Sequence, residues 1–159
     1  MKKFELLSFA TANELARAVA SAWLDEIETA NRMDKPHCVA LSGGRITQTF
    51  FASTVEEAKA RKISFERVHF FWADERCVLP DDPESNFKMA NELLFVPLEI
   101  PENQVHRIRG ELSPDRAAEL ATAEIWRVIS TAPSSPSPPL TEERAGERKP
   151  TQCGSRPAQ

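Results

Sequence analysis

No run of about 18 apolar residues occurs in the 159-residue chain, which excludes a conventional membrane-spanning helix. The start, MKKFELLSFATANEL, has two lysines but no uninterrupted apolar stretch and no clear cleavage site, so it reads as mature protein. Cysteine is scarce. Cys38, Cys77 and Cys153 are odd in number, widely spaced and free of any CxxC, which argues against a disulfide framework and against a zinc site. A cytoplasmic location follows as the expectation, and Cys38 reads as a buried free thiol. Positive charge is lacking too: a net charge of −4 gives no global attraction to nucleic acid or to a membrane surface. Any anion site must be local. The chain also has no Gly-Lys-Ser/Thr phosphate loop and no internal repeat.

What remains is a globular composition, 41% apolar and 28% charged, in a length suited to one core. Thr11-x-x-Glu14 has capping-box spacing, and Ala12, Leu15, Ala16, Val19, Trp23 and Ile27 follow at helical intervals. His37-Cys38-Val39-Ala40-Leu41 is a short continuous apolar run, which suits a strand buried on both faces. A second helix is predicted to bury Phe50, Phe51, Thr54, Val55 and Ala58. Val68-His69-Phe70-Phe71-Trp72 reads as a second buried strand.

A third helix is predicted over 85–94, burying Phe87, Ala90, Leu93 and Leu94, then a short strand over 105–108. Ser113-Pro114 opens a last helix, with Ser as N-cap and Pro at the first helical position. This alternation predicts an α/β fold: an open, mostly parallel, Rossmann-like doubly wound sheet with helices on both faces. The expected organisation is one partial domain over 1–130 and a disordered Pro/Ser-rich tail over 131–159. That tail holds one large aliphatic residue, Leu140, and no aromatic.

Two loops follow the predicted strands, where ligands of open α/β sheets bind. In Leu41-Ser42-Gly43-Gly44-Arg45 the glycines let backbone amides approach an anion at a helix N-terminus. Ser42 and Thr47 offer hydroxyls there, and Arg45 a charge. A purely structural turn is the competing reading. In Asp74-Glu75-Arg76, Arg76 suits a phosphate and Asp74 a substrate hydroxyl or water. The competing reading there is a solvated charge run.

Taken together the loops are more specific. The stretch VHFFWADERCVLPDDPESNFKMANELLF over 68–95 closely resembles the 6-phosphogluconolactonase family, part of the glucosamine-6-phosphate isomerase/6-phosphogluconolactonase superfamily. The earlier LSGG and the later ENQVHRIRGE match it in the same order, so the resemblance covers roughly residues 1–130. It implies a carboxylic ester (lactone) hydrolase that converts 6-phosphoglucono-1,5-lactone to 6-phosphogluconate in the pentose phosphate pathway, with no metal or cofactor. It further implies that Ser42, Gly43, Gly44 and Arg45 cradle the substrate phosphate, with Arg76 as its cationic partner. Asp74 would lie beside the sugar ring, positioning substrate. Ser85 and Asn86 match the family's SN pair, for which a loop-organising role is expected.

Two departures stand beside the match. Arg45 occupies the place of the hydroxyl that often follows the second glycine in the family. The family's general-base histidine lies in a GPDGHTASLFP-like segment, and no such segment occurs in this chain. His37, His69 and His106 read as structural. The expectation is therefore a truncated member that, alone, hydrolyses little or no lactone. The alternatives are a glucosamine-6-phosphate isomerase/deaminase relative and a non-catalytic sugar-phosphate binding module. The sequence leaves the oligomeric state open.

Overall fold

The structure, a computed structural model, describes residues 5–131. Thr11 caps α1 (Ala12–Arg32) by accepting the Glu14 N–H at 3.1 Å, and Glu14 in turn accepts the Ala10 N–H at 3.0 Å. The expected capping box is present, with its return bond one residue before the cap. The buried stripe of α1 runs through Ala16, Ala20, Trp23, Leu24 and Ile27. Leu15 and Val19, expected in the core, lie on the flank of that stripe and are exposed.

β1 (His37–Leu41) leads through α2 (Arg45–Arg61) to β2 (Val68–Trp72). The strands pair in parallel, His37 opposite Val68 and Leu41 opposite Trp72, with α2 as the crossover. α2 buries Phe51, Thr54 and Ala58. It lies along α1, where Trp23 meets Phe50 at 5.5 Å and Arg61 bonds Asp25 and Glu28 at 2.6 Å each. Phe51, Phe70, Leu24, Ile27, Leu94 and Val68 are fully buried. Each such side chain contributes about 1.5–3 kcal/mol of transfer free energy.

On one face of the sheet Phe70 packs against Trp23, Phe65 and Phe95, and Trp72 against Phe87 and Phe95. On the other, His106 stacks on His69 and Phe71 and is bonded by Glu124 of α4 (Pro114–Thr131). Helices therefore lie on both faces of a parallel sheet, as expected. The two strands differ, however. β2 is buried nearly throughout, whereas Cys38 and Ala40 of β1 are exposed. The expected buried Cys38 thiol is thus corrected: its face of β1 has no covering element among the described residues, while His106 shields the same face of β2.

The third helix also departs from its regular expectation. α3 (Asn86–Ala90) passes into a π-helical turn, Asn91–Phe95, where the Val96 N–H reaches back five residues to the Asn91 carbonyl at 2.9 Å. The wider turn rotates Leu94 and Phe95 into the core and leaves Leu93 exposed. A 3₁₀ turn (Glu102–Gln104) follows. The expected strand over 105–108 shrinks to one bridge, Val105 to Phe70, because the chain then leaves the sheet to run behind the loop after β2. α4 continues to Thr131, one residue into the segment expected to be disordered; the rest of that segment lies outside the described residues. Among the described residues no helix is long and apolar enough to cross a membrane.

Candidate functional site

The loops after β1 and β2 lie side by side because the strands pair in register to their last residues, and the Ala73 N–H extends the ladder to the Leu41 carbonyl at 2.8 Å. Two glycines occupy the first loop for two separate reasons. Gly44 has φ 115°, a conformation side chains disfavour, and serves as the N-cap of α2 without a side-chain cap. Gly43 has no room: a Cβ there would sit 1.9 Å from Asn86 Oδ1. The first turn of α2 holds no acidic residue, so its dipole is uncompensated there, while its Thr47 N–H is taken by the Gly44 carbonyl at 3.2 Å.

The hydroxyl protons of this loop are already committed. Ser42 donates to Asp74 Oδ1 at 2.9 Å, and Thr47 donates to the Gly43 carbonyl at 3.0 Å. The donors left for an anion are the backbone amides and the guanidinium groups. Arg45 and Arg76 line one open cleft of about 580 Å³ with Gly44, Gln48 and Lys88. Among the described residues neither guanidinium has a carboxylate partner, whereas Lys88 faces Glu92 at 3.7 Å.

Asp74 is shared between the loops. Its Oδ2 and its carbonyl accept the Asn86 amide at 3.4 and 3.1 Å, and its Oδ1 accepts Ser42. Ser85 caps α3 through the Lys88 N–H at 3.2 Å. Ser42, Gly43, Gly44, Arg45, Asp74 and Arg76, each singled out in the sequence, thus converge at one end of the sheet. Sequence reasoning missed two contributors. Glu75 bonds three backbone N–H groups around the second loop, and Gly110 lies so close behind it that a Cβ would meet the Arg76 carbonyl at 2.1 Å. The Gly in VHRIRG was a signal for close backbone approach, but nothing in the pattern named its neighbour.

None of the three histidines lines this cleft. His37 opens β1, at the far end of the strand, and accepts the Trp23 indole N–H at 3.0 Å; burial lowers its pKa. His106 is buried between His69 Nδ1 at 3.0 Å and Glu124 at 2.8 Å. Bonds from Arg127 and then from His106 hold Glu124 down to about 2, so the carboxylate only accepts. In a neutral chain His106 therefore carries its proton on Nδ1, and His69 donates to its Nε2. Burial, then the neighbouring His106, lowers the pKa of His69. Among the described residues no three His, Cys, Asp or Glu side chains gather as a metal site.

Comparison with known proteins bears on the family and the fold. A family model described as glucosamine-6-phosphate isomerases/6-phosphogluconolactonase matches residues 10–140. The 6-phosphogluconolactonase of Aggregatibacter actinomycetemcomitans is 34% identical over 124 residues, 78% of this chain and 52% of its own. That of Haemophilus influenzae is 35% identical over 123 residues, 77% of this chain and 51% of its own. The crystal structure of the Thermotoga maritima 6-phosphogluconolactonase superposes with a TM-score of 0.64 at 28% identity, covering 78% of this chain and 53% of that one. A monomeric glucosamine-6-phosphate deaminase superposes with a TM-score of 0.70 at 14% identity, a likeness of fold alone. The chain spans about half the length of these relatives.

Proposed function

Because this chain belongs to the glucosamine-6-phosphate isomerase/6-phosphogluconolactonase family, we propose that it carries the sugar-phosphate half of a 6-phosphogluconolactonase site. The ligand is 6-phosphoglucono-1,5-lactone or its product 6-phosphogluconate, a small cytoplasmic sugar phosphate. Its phosphate meets the N-terminus of α2 at Gly43 and Gly44, with Arg45 and Arg76 as the cations. Asp74, held by Ser42 and Asn86, faces the ring hydroxyls. The observation that carries this reading is one cleft in which Arg45, Arg76 and Lys88 outnumber Glu84 and Glu92 beside a helix start without a side-chain cap.

Lactone hydrolysis also needs a base to take a proton from water, and the cleft holds no histidine. This polypeptide alone therefore binds the sugar phosphate and turns over little or no lactone, the behaviour of a binding module. Calorimetry with 6-phosphogluconate tests it. Saturable binding that weakens at least tenfold in Arg76→Ala, with lactone hydrolysis at the uncatalysed rate, is the expected result. A complete lack of binding by the folded chain would overturn the assignment.

A further inference from the structure

The loop after β2 contains a carboxylate that is turned into the protein's own backbone. Glu75 Oε1 accepts the N–H of Arg76 at 2.7 Å and the N–H of Asn86 at 2.8 Å. Its Oε2 accepts the N–H of Phe87 at 2.9 Å and faces the Ser85 hydroxyl at 3.4 Å. One side chain thereby takes up two of the free donors in the first turn of α3 and, in the same stroke, the amide of the arginine beside it. A carboxylate acceptor strengthens such bonds relative to a neutral one.

The consequence passes beyond α3. With the Asn86 backbone fixed, its side-chain amide lies 3.1 Å from the Asp74 carbonyl and fills the space where a Gly43 Cβ would be. Asn86 is buried, so its amide has no solvent route around this contact. Asp74 in turn holds Ser42. A continuous path runs from Glu75 through Asn86 to Gly43 and Asp74, and a direct bond runs from Glu75 to the Arg76 backbone. Behind Arg76, Gly110 presses on its carbonyl, which also accepts the Val78 N–H at 2.8 Å.

We propose that Glu75 is the positioning residue of the phosphate site: it touches no ligand, yet it sets both Arg76 and, through Asn86, the Gly43–Gly44 turn. The inference rests on the phosphate-site reading for its functional meaning, while its structural content stands apart from any ligand. A carboxylate with only a stabilising role would lower the melting temperature and leave the distant turn alone. A positioning role moves the turn.

The test uses the whole chain. In Glu75→Gln the shape is kept, but an NH₂ group now confronts backbone donors. The expected result is a displaced amide resonance for Gly43 and Gly44, neither of which Glu75 touches, and at least tenfold weaker calorimetric binding of 6-phosphogluconate. Asn86→Ala, which cuts the path while sparing the α3 cap, should displace the same two resonances and leave in place that of Lys88, whose N–H bonds Ser85; it remains informative if Glu75→Gln does not fold. Unmoved Gly43 and Gly44 resonances in Asn86→Ala, or in a folded Glu75→Gln, would overturn the proposal. If the unsubstituted chain binds no 6-phosphogluconate, the phosphate-site reading fails, and the resonances still decide the role of Glu75.

Discussion

The two sides of this molecule are held by different means. At the carboxyl ends of the strands, short polar bonds tie three backbone segments together, and two glycines permit the contact. On the far face of the sheet, α4 bonds a buried imidazole through Glu124 and buries Ala117 and Val128, while Cys38, Ala40, Trp126 and Ile129 are exposed. The first region is specified in detail and is nearly self-contained. The second has an apolar surface that the described residues do not cover. The difference teaches that polar ties fasten the loops that strand pairing brings together, while the Cys38 face of β1 is left uncovered by the described residues.

The strongest way to break the loop cluster is Gly43→Ala. The added Cβ forces the Asn86 amide off Asp74, and overpacking of this kind costs about 1–3 kcal/mol. The expected outcome is loss of measurable 6-phosphogluconate binding by calorimetry, together with a lower melting temperature. Binding at the unsubstituted affinity would mean that Asn86 can leave without consequence. The contrasting change is His106→Ala on the other face. Two hydrogen bonds and two ring contacts disappear there, an expected loss of about 2–3 kcal/mol in denaturant unfolding with affinity for the sugar phosphate unchanged.

Acidity should weaken the sheet from both faces, through His69 on the far face and His37 beside Trp23 on the near one. His69 has a folded-state pKa below its ordinary 6.5, so the fold disfavours its proton; His37 behaves alike. Their stabilisation is complete above pH 6.5 and is lost as the pH falls below that value. Glu124, ordinarily near 4.5 and here about 2, adds a loss in the same direction between those two values. Its partial exposure makes that second loss small. Melting temperatures recorded from pH 7.5 to 3 should fall in two stages, and a flat profile would contradict the geometry of the histidine chain. The smallest effect is expected for Cys38→Ser, under about 0.5 kcal/mol, since the residue is exposed. Thiol titration of the native chain should count Cys38 as accessible but slow, because partial burial raises its pKa.

Much of this layout is legible in the residue pattern. Thr11 and Glu14 announce the start of α1, and the apolar runs around Val39 and Phe70 announce the two strands, because caps and burial are local or periodic signals. The convergence of Ser42, Gly43, Gly44, Asp74 and Arg76 follows from strand-then-loop order in a parallel sheet. Periodicity says that a side chain is apolar, however, not which element covers it, so the exposure of Cys38 and Leu15 could not be read. The π-helical turn at Asn91–Phe95 leaves no compositional mark, and Leu93 was misplaced for that reason. Glu75 looked like one charge in a run, since its partners lie eleven and twelve residues away. The division of the chain at residue 130 turns on a segment outside the described residues.

The Ser42 hydroxyl has one proton, and Asp74 holds it. What Ser42 has left to offer is therefore lone pairs, while a few residues along the chain α2 begins at Gly44 and Arg45 with no side-chain cap on its N–H groups. The loop has a polarity, accepting at its strand end and donating at its helix end. On the proposed reading, a ligand anionic at one end and hydroxylated at the other is matched in only one direction, and the Ser42–Asp74 bond sets which.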